Sequence, residues 1–276
     1  MKNTNKIAVG LALGSGGARG LSHIGVLKVL EKNNIPIDCI SGSSIGAMVG
    51  GFYAAGLSVE KIETIALDTN WRLLFSLVDP RLKQGLISGG KVKRFIERCL
   101  PGTMFRDCKI PFSAVATDIK TGDVVTLRQG EMATAIRASI SIPLIFKPVE
   151  IEGRLLADGG LSAPVPVETV RRMGATLIIA VNLDNHYFAP KGHFGFYHIA
   201  DNALTILRHH LASWNVREAD VVINPDVKGR RWHNFANGRE LIKAGEDAAK
   251  KQLPQIKELW RQKSKGLSRD RQFLPG

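Results

Sequence analysis

Two glycine-rich turns decide the fold: Gly14-Ser15-Gly16-Gly17-Ala18-Arg19-Gly20 and Gly42-Ser43-Ser44-Ile45-Gly46. Each turn follows an apolar run of the kind that forms a buried strand, and each precedes a run with helical periodicity. Strands that are apolar throughout and alternate with helices are typical of a parallel sheet covered on both faces. The pattern therefore predicts an α/β protein whose first two strand–turn–helix units carry these turns.

The second turn places Ser44 at the centre of a G-x-S-x-G pattern. A sharp turn from strand to helix holds such a serine hydroxyl clear of the backbone, at the positive end of the helix. Other serines compete by composition alone: Ser41, Ser43, Ser139 and Ser141. A tight strand–helix junction without chemistry is the alternative interpretation. We take Ser44 as the candidate nucleophile of an acyl transfer.

The first turn is suited to an oxyanion hole. Gly16, Gly17 and Ala18 can direct backbone N–H groups at a developing negative oxygen, and glycines let a substrate approach closely. A dinucleotide site begins with a similar loop, but here Arg19 replaces the third required glycine and no acid ends the second strand. No Gly-Lys-Ser/Thr follows, which argues against a phosphate-binding P-loop.

A serine nucleophile needs a base, and Asp158 is the candidate. It follows the strand-like run 154–157 and precedes Gly159-Gly160, a turn that exposes a carboxylate at a strand end. An ordinary Asp-Gly hairpin turn is the alternative, and the residues alone do not decide between them. Histidine is the usual base, but none of the histidines after Ser44 lies in a sharp turn after a strand: His186, His193, His198, His209, His210 and His233.

Two residues after the first turn have open roles. Arg19 can orient the loop, pair with an anionic substrate group, or form a structural salt bridge, which we favour. His23 can act as a base or bind a metal, but a packed histidine is the preferred interpretation.

Composition indicates an ordinary globular chain, with 44% hydrophobic and 23% charged residues over 276 positions. The three cysteines (Cys39, Cys99 and Cys108) lack metal-ligand spacing and favour a reducing compartment. No apolar stretch approaches the roughly 20 residues of a membrane span. The run 7–13 enters a glycine turn, so we do not interpret it as a signal peptide, and we expect a cytoplasmic protein.

The net charge of +13 is concentrated towards the C-terminus. The segment 228–276 contains 13 lysines and arginines against 5 acidic residues. It suits the anionic inner face of a membrane or nucleic acid, and a solvated soluble surface is the alternative. We expect peripheral membrane contact through this basic segment and no binding of nucleic acid.

The periodicity predicts one domain over 1–276, with a core of about 7–184 and a helical, basic C-terminal segment of about 197–276. Strands are predicted at Lys6–Leu13, Ile35–Ser41, Phe112–Thr117, Val124–Leu127, Val149–Ile151, Leu155–Ala157, Thr176–Leu183 and Val221–Ile223. Helices are predicted at Arg19–Asn33, Ile45–Ala55, Ser58–Thr69, Gly90–Cys99, Met132–Ser139, Glu168–Met173 and Arg239–Trp260. Another helix carries Ile199, Ala203, Ile206, Leu207, His210, Leu211 and Trp214 on one face.

Three stretches are less defined. Trp71–Val78 is either core or a lid, and His186–Tyr197 is expected to be a mobile loop that could also close over the site. Arg261–Gly276 is expected to be a frayed tail.

The motifs 16–20, 42–46 and 158–160, in that order, resemble the patatin-like phospholipase family. The segments 21–27, 116–122 and 137–143 are similar to further family segments, and the resemblance covers about Ile7 to Asp184 and continues loosely to about Trp260. The chain looks like the short bacterial branch, related to the catalytic part of neuropathy target esterase. One departure is the stretch 162–166, where the family often has asparagines, and it bears on packing beside Asp158.

The resemblance implies a three-layer α/β/α sandwich with a largely parallel central sheet. It also implies a serine hydrolase of lipid acyl esters, including phospholipids and lysophospholipids, without metal or cofactor. Carried over, Ser44 is the nucleophile and Asp158 the general base of a dyad, with 16–18 as the oxyanion segment. The motif-supporting residues are Arg19, Gly20, Gly42, Gly46, Gly159 and Gly160. A regulatory or adaptor protein that docks through its basic C-terminal segment is the competing class.

Overall fold

A mixed β-sheet forms the centre of the protein, for which a computed structural model describes residues 8–71, 74, 88–185, 195–227 and 229–270. Within these ranges the strand order is β5-β6-β3-β2-β1-β7-β8, and β4 pairs with β3. The strands are β1 (Val9–Leu13), β2 (Cys39–Ser43), β3 (Phe112–Asp118), β4 (Val124–Leu127), β5 (Val149–Ile151), β6 (Arg154–Asp158), β7 (Leu177–Val181) and β8 (Val221–Ile223). Pairing is parallel from β3 through β2, β1 and β7 to β8, and antiparallel for β4, β5 and β6.

Helices cover both faces of this sheet, which confirms the predicted three-layer α/β/α fold. They are α1 (Ser22–Lys32), α2 (Ile45–Ala54), α3 (Val59–Asp68), α4 (Gly90–Cys99), α5 (Met132–Ser139), α6 (Val167–Arg172), α7 (Phe196–Asn215) and α8 (Gly238–Asp270). A short 3₁₀ turn, Gly17–Leu21, precedes α1.

The central strands divide their side chains between two cores, as the period of two requires. In β1, Val9, Leu11 and Leu13 face the larger core with α1, α2 and α8. Ala12 faces the smaller core, which also contains Val170 of α6 and Ala212 of α7. Apolar residues at every position of β1 therefore have a layer to pack against on either side.

One edge of β3 brings two strand ends together. β2 pairs with Phe112–Val115 in parallel, and β6 pairs with Ala116–Asp118 in the antiparallel sense. Because β4 occupies the opposite edge along 114–117, β2 and β6 must lie on the same edge of β3. Both strands run towards the junction between Val115 and Ala116, so their C-terminal ends meet there.

Some predicted boundaries were wrong. β2 begins at Cys39 and not at Ile35, and it includes Gly42 and Ser43, because the pairing with β3 extends over these small residues. The tail predicted to be frayed from Arg261 is helical as far as Asp270. There α8 continues through Pro254, and Lys263 Nζ donates to Asp220 Oδ1 at 2.9 Å.

The stretches left open above are only partly described. Trp71 is buried and stacks on Phe235 with 4.8 Å between ring centroids, so it belongs to the core. The rest of the Trp71–Val78 stretch, except Leu74, lies outside the described residues, as do 186–194 and 271–276. Tyr197 is part of α7. Within the described residues, no helix combines the length and apolar character needed to cross a membrane.

Candidate active site

Ser44 lies at the turn between β2 and α2 with a strained backbone. Its φ of 55° and ψ of −121° are unusual for a residue other than glycine, as expected of a serine at a sharp strand-to-helix turn. The turn requires glycine on both sides of Ser44, because backbone atoms occupy the space that a side chain would need. A Cβ at Gly42 would lie 2.3 Å from the oxygen of Gly46, and one at Gly46 would lie 2.2 Å from the oxygen of Leu13.

Asp158 lies against Ser44 at the junction of β2 and β6. Ser44 Oγ donates a hydrogen bond to Asp158 Oδ2 at 2.6 Å, and the N–H of Gly160 donates to Asp158 Oδ1 at 2.7 Å. Both side chains are buried. Gly159 permits this approach, because a Cβ there would lie 2.2 Å from the oxygen of Val115. The two residues selected from the sequence are therefore in direct contact.

Burial makes Asp158 a stronger base than an ordinary aspartate. Loss of solvent raises the pKa of its carboxyl from 3.8 to about 6, although the hydrogen bonds from Ser44 and Gly160 oppose the rise. A carboxylate with a pKa near 6 is ionised at neutral pH and accepts a proton more readily than one at 3.8.

Ser139, at the end of α5, fixes the strained turn. Its Oγ accepts the N–H of Ser44 at 2.9 Å and donates to the oxygen of Val115 at 2.5 Å. Ser44 is thus tied to β3 through one buried hydroxyl. Sequence reasoning set Ser139 among serines that compete by composition. The one signal for it is its place in the segment 137–143.

The loop after β1 faces Ser44, and one of its three expected N–H donors already has a hydrogen-bond acceptor. The N–H of Ala18 donates to the carbonyl oxygen of Trp232 at 2.5 Å. Among the described residues, the N–H groups of Gly16 and Gly17 have no hydrogen-bond acceptor. Gly17 has a φ of 58°, and a Cβ there would lie 2.3 Å from the Trp232 oxygen. The structure therefore leaves two of the three expected donors free.

Arg19 is held by a buried ion pair, the interpretation favoured from the sequence. Its guanidinium donates to Asp184 Oδ1 at 2.6 Å and to the oxygen of Gly16 at 3.1 Å. Asp184 Oδ2 accepts from Arg208 Nε at 2.8 Å. Burial alone raises the pKa of Asp184, but the charges of Arg208 and Arg19 outweigh it and the pKa lies below its usual value. Arg19 thus orients the loop after β1.

Asp184 and Arg208 were not selected as site residues from the sequence. Asp184 follows the C-terminal end of β7, which pairs in parallel with β1. Binding sites of parallel sheets lie at this end of the strands, so the position of Asp184 is a signal that could have identified it. Arg208 comes from α7, and nothing local in the sequence predicts which way that helix faces.

α7 and the segment at Trp232 close over the serine. The cavity at Ser44 has a volume of about 40 Å³ and is also lined by Asp158, Leu204, Arg208 and Trp232. This space holds about one water molecule, whose share of liquid volume is about 30 Å³. Ligand pockets usually measure about 300–1,000 Å³, so this cavity is much smaller than a usual substrate site.

His23 is packed against the loop after β1. Its Nε2 donates to the oxygen of Gly14 at 2.8 Å, and burial lowers the pKa of the ring to about 4. It is therefore neutral and supports the loop. In the part of the chain that the structure describes, no group of three or more histidine, cysteine or acidic side chains is arranged to hold a metal ion.

Sequence comparisons identify relatives whose matched segments include most of the residues of this site. The model of the patatin-like phospholipase family matches residues 11–171. An uncharacterized NTE family protein of Mycobacterium tuberculosis is 38% identical over 191 residues, which cover 69% of this chain and 53% of that protein. Lysophospholipase NTE1 of Lodderomyces elongisporus is 36% identical over 182 residues, which cover 64% of this chain and 12% of that protein. The chain thus spans about half the length of the mycobacterial relative and much less of the fungal one.

Solved structures agree on the fold. VipD from Legionella pneumophila superimposes with a TM-score of 0.56 at 14% sequence identity, covering 91% of this chain and 67% of that chain. At this identity the likeness concerns the fold alone.

Proposed function

Because the chain belongs to the patatin-like phospholipase family, we propose that it hydrolyses fatty-acyl esters of lipids with Ser44 and Asp158 as a catalytic dyad. The observation that carries the proposal is the 2.6 Å hydrogen bond from Ser44 Oγ to Asp158 Oδ2. This distance allows a proton to pass directly from the hydroxyl to the carboxylate as the oxygen attacks. The lysophospholipase title of one relative supports a lipid ester as the substrate class.

The reaction begins with attack by Ser44 Oγ on the ester carbonyl, while Asp158 takes the hydroxyl proton. The N–H groups of Gly16 and Gly17 then stabilise the negative oxygen of the tetrahedral intermediate. The alcohol or lysolipid leaves with the proton that Asp158 returns. Water, deprotonated by the same carboxylate, releases the fatty acid and restores the serine.

The Trp232 carbonyl oxygen supports the assignment of the oxyanion loop. It accepts the Ala18 N–H, as the oxygen of an intermediate would. Displacing the Trp232 segment would free a third donor and enlarge the cavity. Removal of one such donor in other hydrolases lowers turnover about 10²–10³-fold, so the state of this segment matters for rate.

A fluorescent fluorophosphonate probe tests the dyad, because it labels only serines that act as nucleophiles. We expect labelling of the wild type at Ser44, none in Ser44→Ala, and labelling at least about 100-fold slower in Asp158→Asn. Ser43→Ala is the matched control, since among the described residues its buried hydroxyl has no hydrogen-bond partner. It should label at nearly the wild-type rate.

Lipid hydrolysis completes the test, with a lysophospholipid and a monoacylglycerol of the same chain as substrates. We expect fatty-acid release that Ser44→Ala and Asp158→Asn both abolish. A folded wild type that neither reacts with the probe nor releases fatty acid would contradict the proposal. It would favour the adaptor class instead.

A further inference from the structure

An apolar stripe runs along the outer face of α7, the helix that roofs the cavity. Five large apolar side chains on this face are between 36% and 86% exposed: Phe196, Ile199, Ile206, Leu207 and Trp214. Their positions, successively three, seven, one and seven residues apart, keep them on one side of the helix. Single exposed apolar residues are ordinary on a protein surface, but a stripe of this kind indicates an interaction surface.

The inner face of α7 is held by polar contacts. Asp201 accepts a hydrogen bond from Trp232 Nε1 at 3.1 Å, and Arg208 forms the ion pair with Asp184. An ordinary surface helix turns its apolar side to the core and its polar side to water. α7 does bury Ala212 in the smaller core, but five of its large apolar side chains lie on the outer stripe and remain exposed to water.

The charge of the stripe favours an anionic lipid surface. Asp201 is the single acidic residue of the sequence from 196 to 217, and it points inwards to Trp232. At the end of the stripe, the Arg217 guanidinium lies over the Trp214 ring, 4.5 Å from its centroid. Tryptophan and arginine beside aliphatic residues are typical of helices that lie in a membrane interface, and the chain carries a net charge of +13.

The stripe is too small for a stable contact with a second copy. A helix of 20 residues is about 30 Å long and about 10 Å wide, which gives a footprint of about 300 Å². A stable dimer buries about 800 Å² per partner.

We propose that the outer face of α7 is the surface through which this protein binds an anionic lipid bilayer. This inference rests on the proposed function, because that function makes a lipid ester the substrate. It adds that the protein takes this substrate from the surface of a bilayer. Leu204 and Arg208 of the same helix line the cavity, so binding would place the bilayer directly above Ser44. Leu144, exposed next to the cavity-lining Pro143, adds an apolar residue on the other side of the cavity.

Vesicle co-sedimentation tests the surface in a Ser44→Ala background, which prevents lipid hydrolysis during the measurement. The probe is vesicles of phosphatidylglycerol and phosphatidylcholine in equal amounts. Replacing both Ile199 and Leu207 by Gln should weaken partitioning about tenfold or more, because two side chains can no longer enter the apolar layer. The matched control replaces Ile119 and Val124 by Gln, two similarly exposed residues of the β3–β4 hairpin, and should bind like its parent.

The outcomes distinguish a lipid bilayer from a second copy of the chain as the partner of this surface. Equal binding by the α7 variant and its parent, or no binding by the parent, would overturn the inference. So would a dimer, detected by light scattering, that the α7 variant abolishes. Unchanged melting temperatures in all proteins would exclude a folding defect. A wild type that binds vesicles through α7 but hydrolyses no ester would retain this inference and overturn the proposed function.

Discussion

The raised pKa of Asp158 makes a quantitative prediction about acid. The carboxyl must be ionised to accept the Ser44 proton, and burial raises its pKa from 3.8 to about 6. At pH 5 a group with a pKa of about 6 is only about one-tenth ionised, whereas one at 3.8 would be more than about nine-tenths ionised. We therefore expect kcat/KM to fall about tenfold between a plateau near pH 8 and pH 5.

Initial rates on a short-chain, water-soluble ester measure this profile, with Ser44→Ala as the blank at each pH. Such a substrate avoids changes in lipid packing, and kcat/KM reports groups of the free enzyme, the state described here. Circular dichroism at each pH excludes acid unfolding. A profile that stays flat down to pH 5 would refute the argument, because the base would then have an ordinary pKa.

Three further expectations concern stability and turnover. The ionised Asp158 carboxylate destabilises the fold above pH 6, and the protonated carboxyl has no such effect below about pH 4. Asp158→Asn should therefore raise the free energy of unfolding by up to about 3 kcal/mol at pH 8 and hardly at all at pH 4. Denaturant titration at the two pH values measures this difference. Ser139→Ala leaves the Ser44 N–H unpaired, so it should lower the free energy of unfolding by about 1–3 kcal/mol and lower kcat with KM unchanged. The control is Ser113→Ala, which removes a buried hydroxyl of β3 that donates to Ser41 Oγ at 2.9 Å, and it should leave kcat unchanged. Asp184→Asn removes the charge that compensates the buried Arg19 guanidinium and the part-buried Arg208 guanidinium, and it should lower the free energy of unfolding by about 3–5 kcal/mol. A wild-type melting temperature would contradict this.

Local patterns predicted most of the fold. Apolar runs and helical periodicity located the strands and helices, because both signals arise from neighbours in the sequence. Their ends were less reliable. Gly42 and Ser43 have little apolar character, and their place in β2 depends on pairing with β3, far away in the chain.

The candidate site could be predicted in part for the same reason. Ser44 and Asp158 each lie in a recognisable local turn, although their separation of 2.6 Å depends on the whole sheet. Ser139, Arg208 and Trp232 reach the site from elements whose direction only packing decides. No turn or periodicity assigns Arg208 or Trp232 to the site, and the one signal for Ser139 is its place in the segment 137–143.

The shared edge of β3 has a consequence for changes in chain length. Val115 pairs with the end of β2 and Ala116 with the end of β6. The single peptide unit between them in β3 therefore sets the distance between Ser44 and Asp158. One residue inserted at that step would displace the strands by about 3.3 Å and turn alternate side chains to the opposite face. The turn at Gly153, with no atoms near its would-be Cβ, can lengthen without this effect. Insertions and deletions should therefore be accommodated in the β5–β6 turn and excluded from the middle of β3.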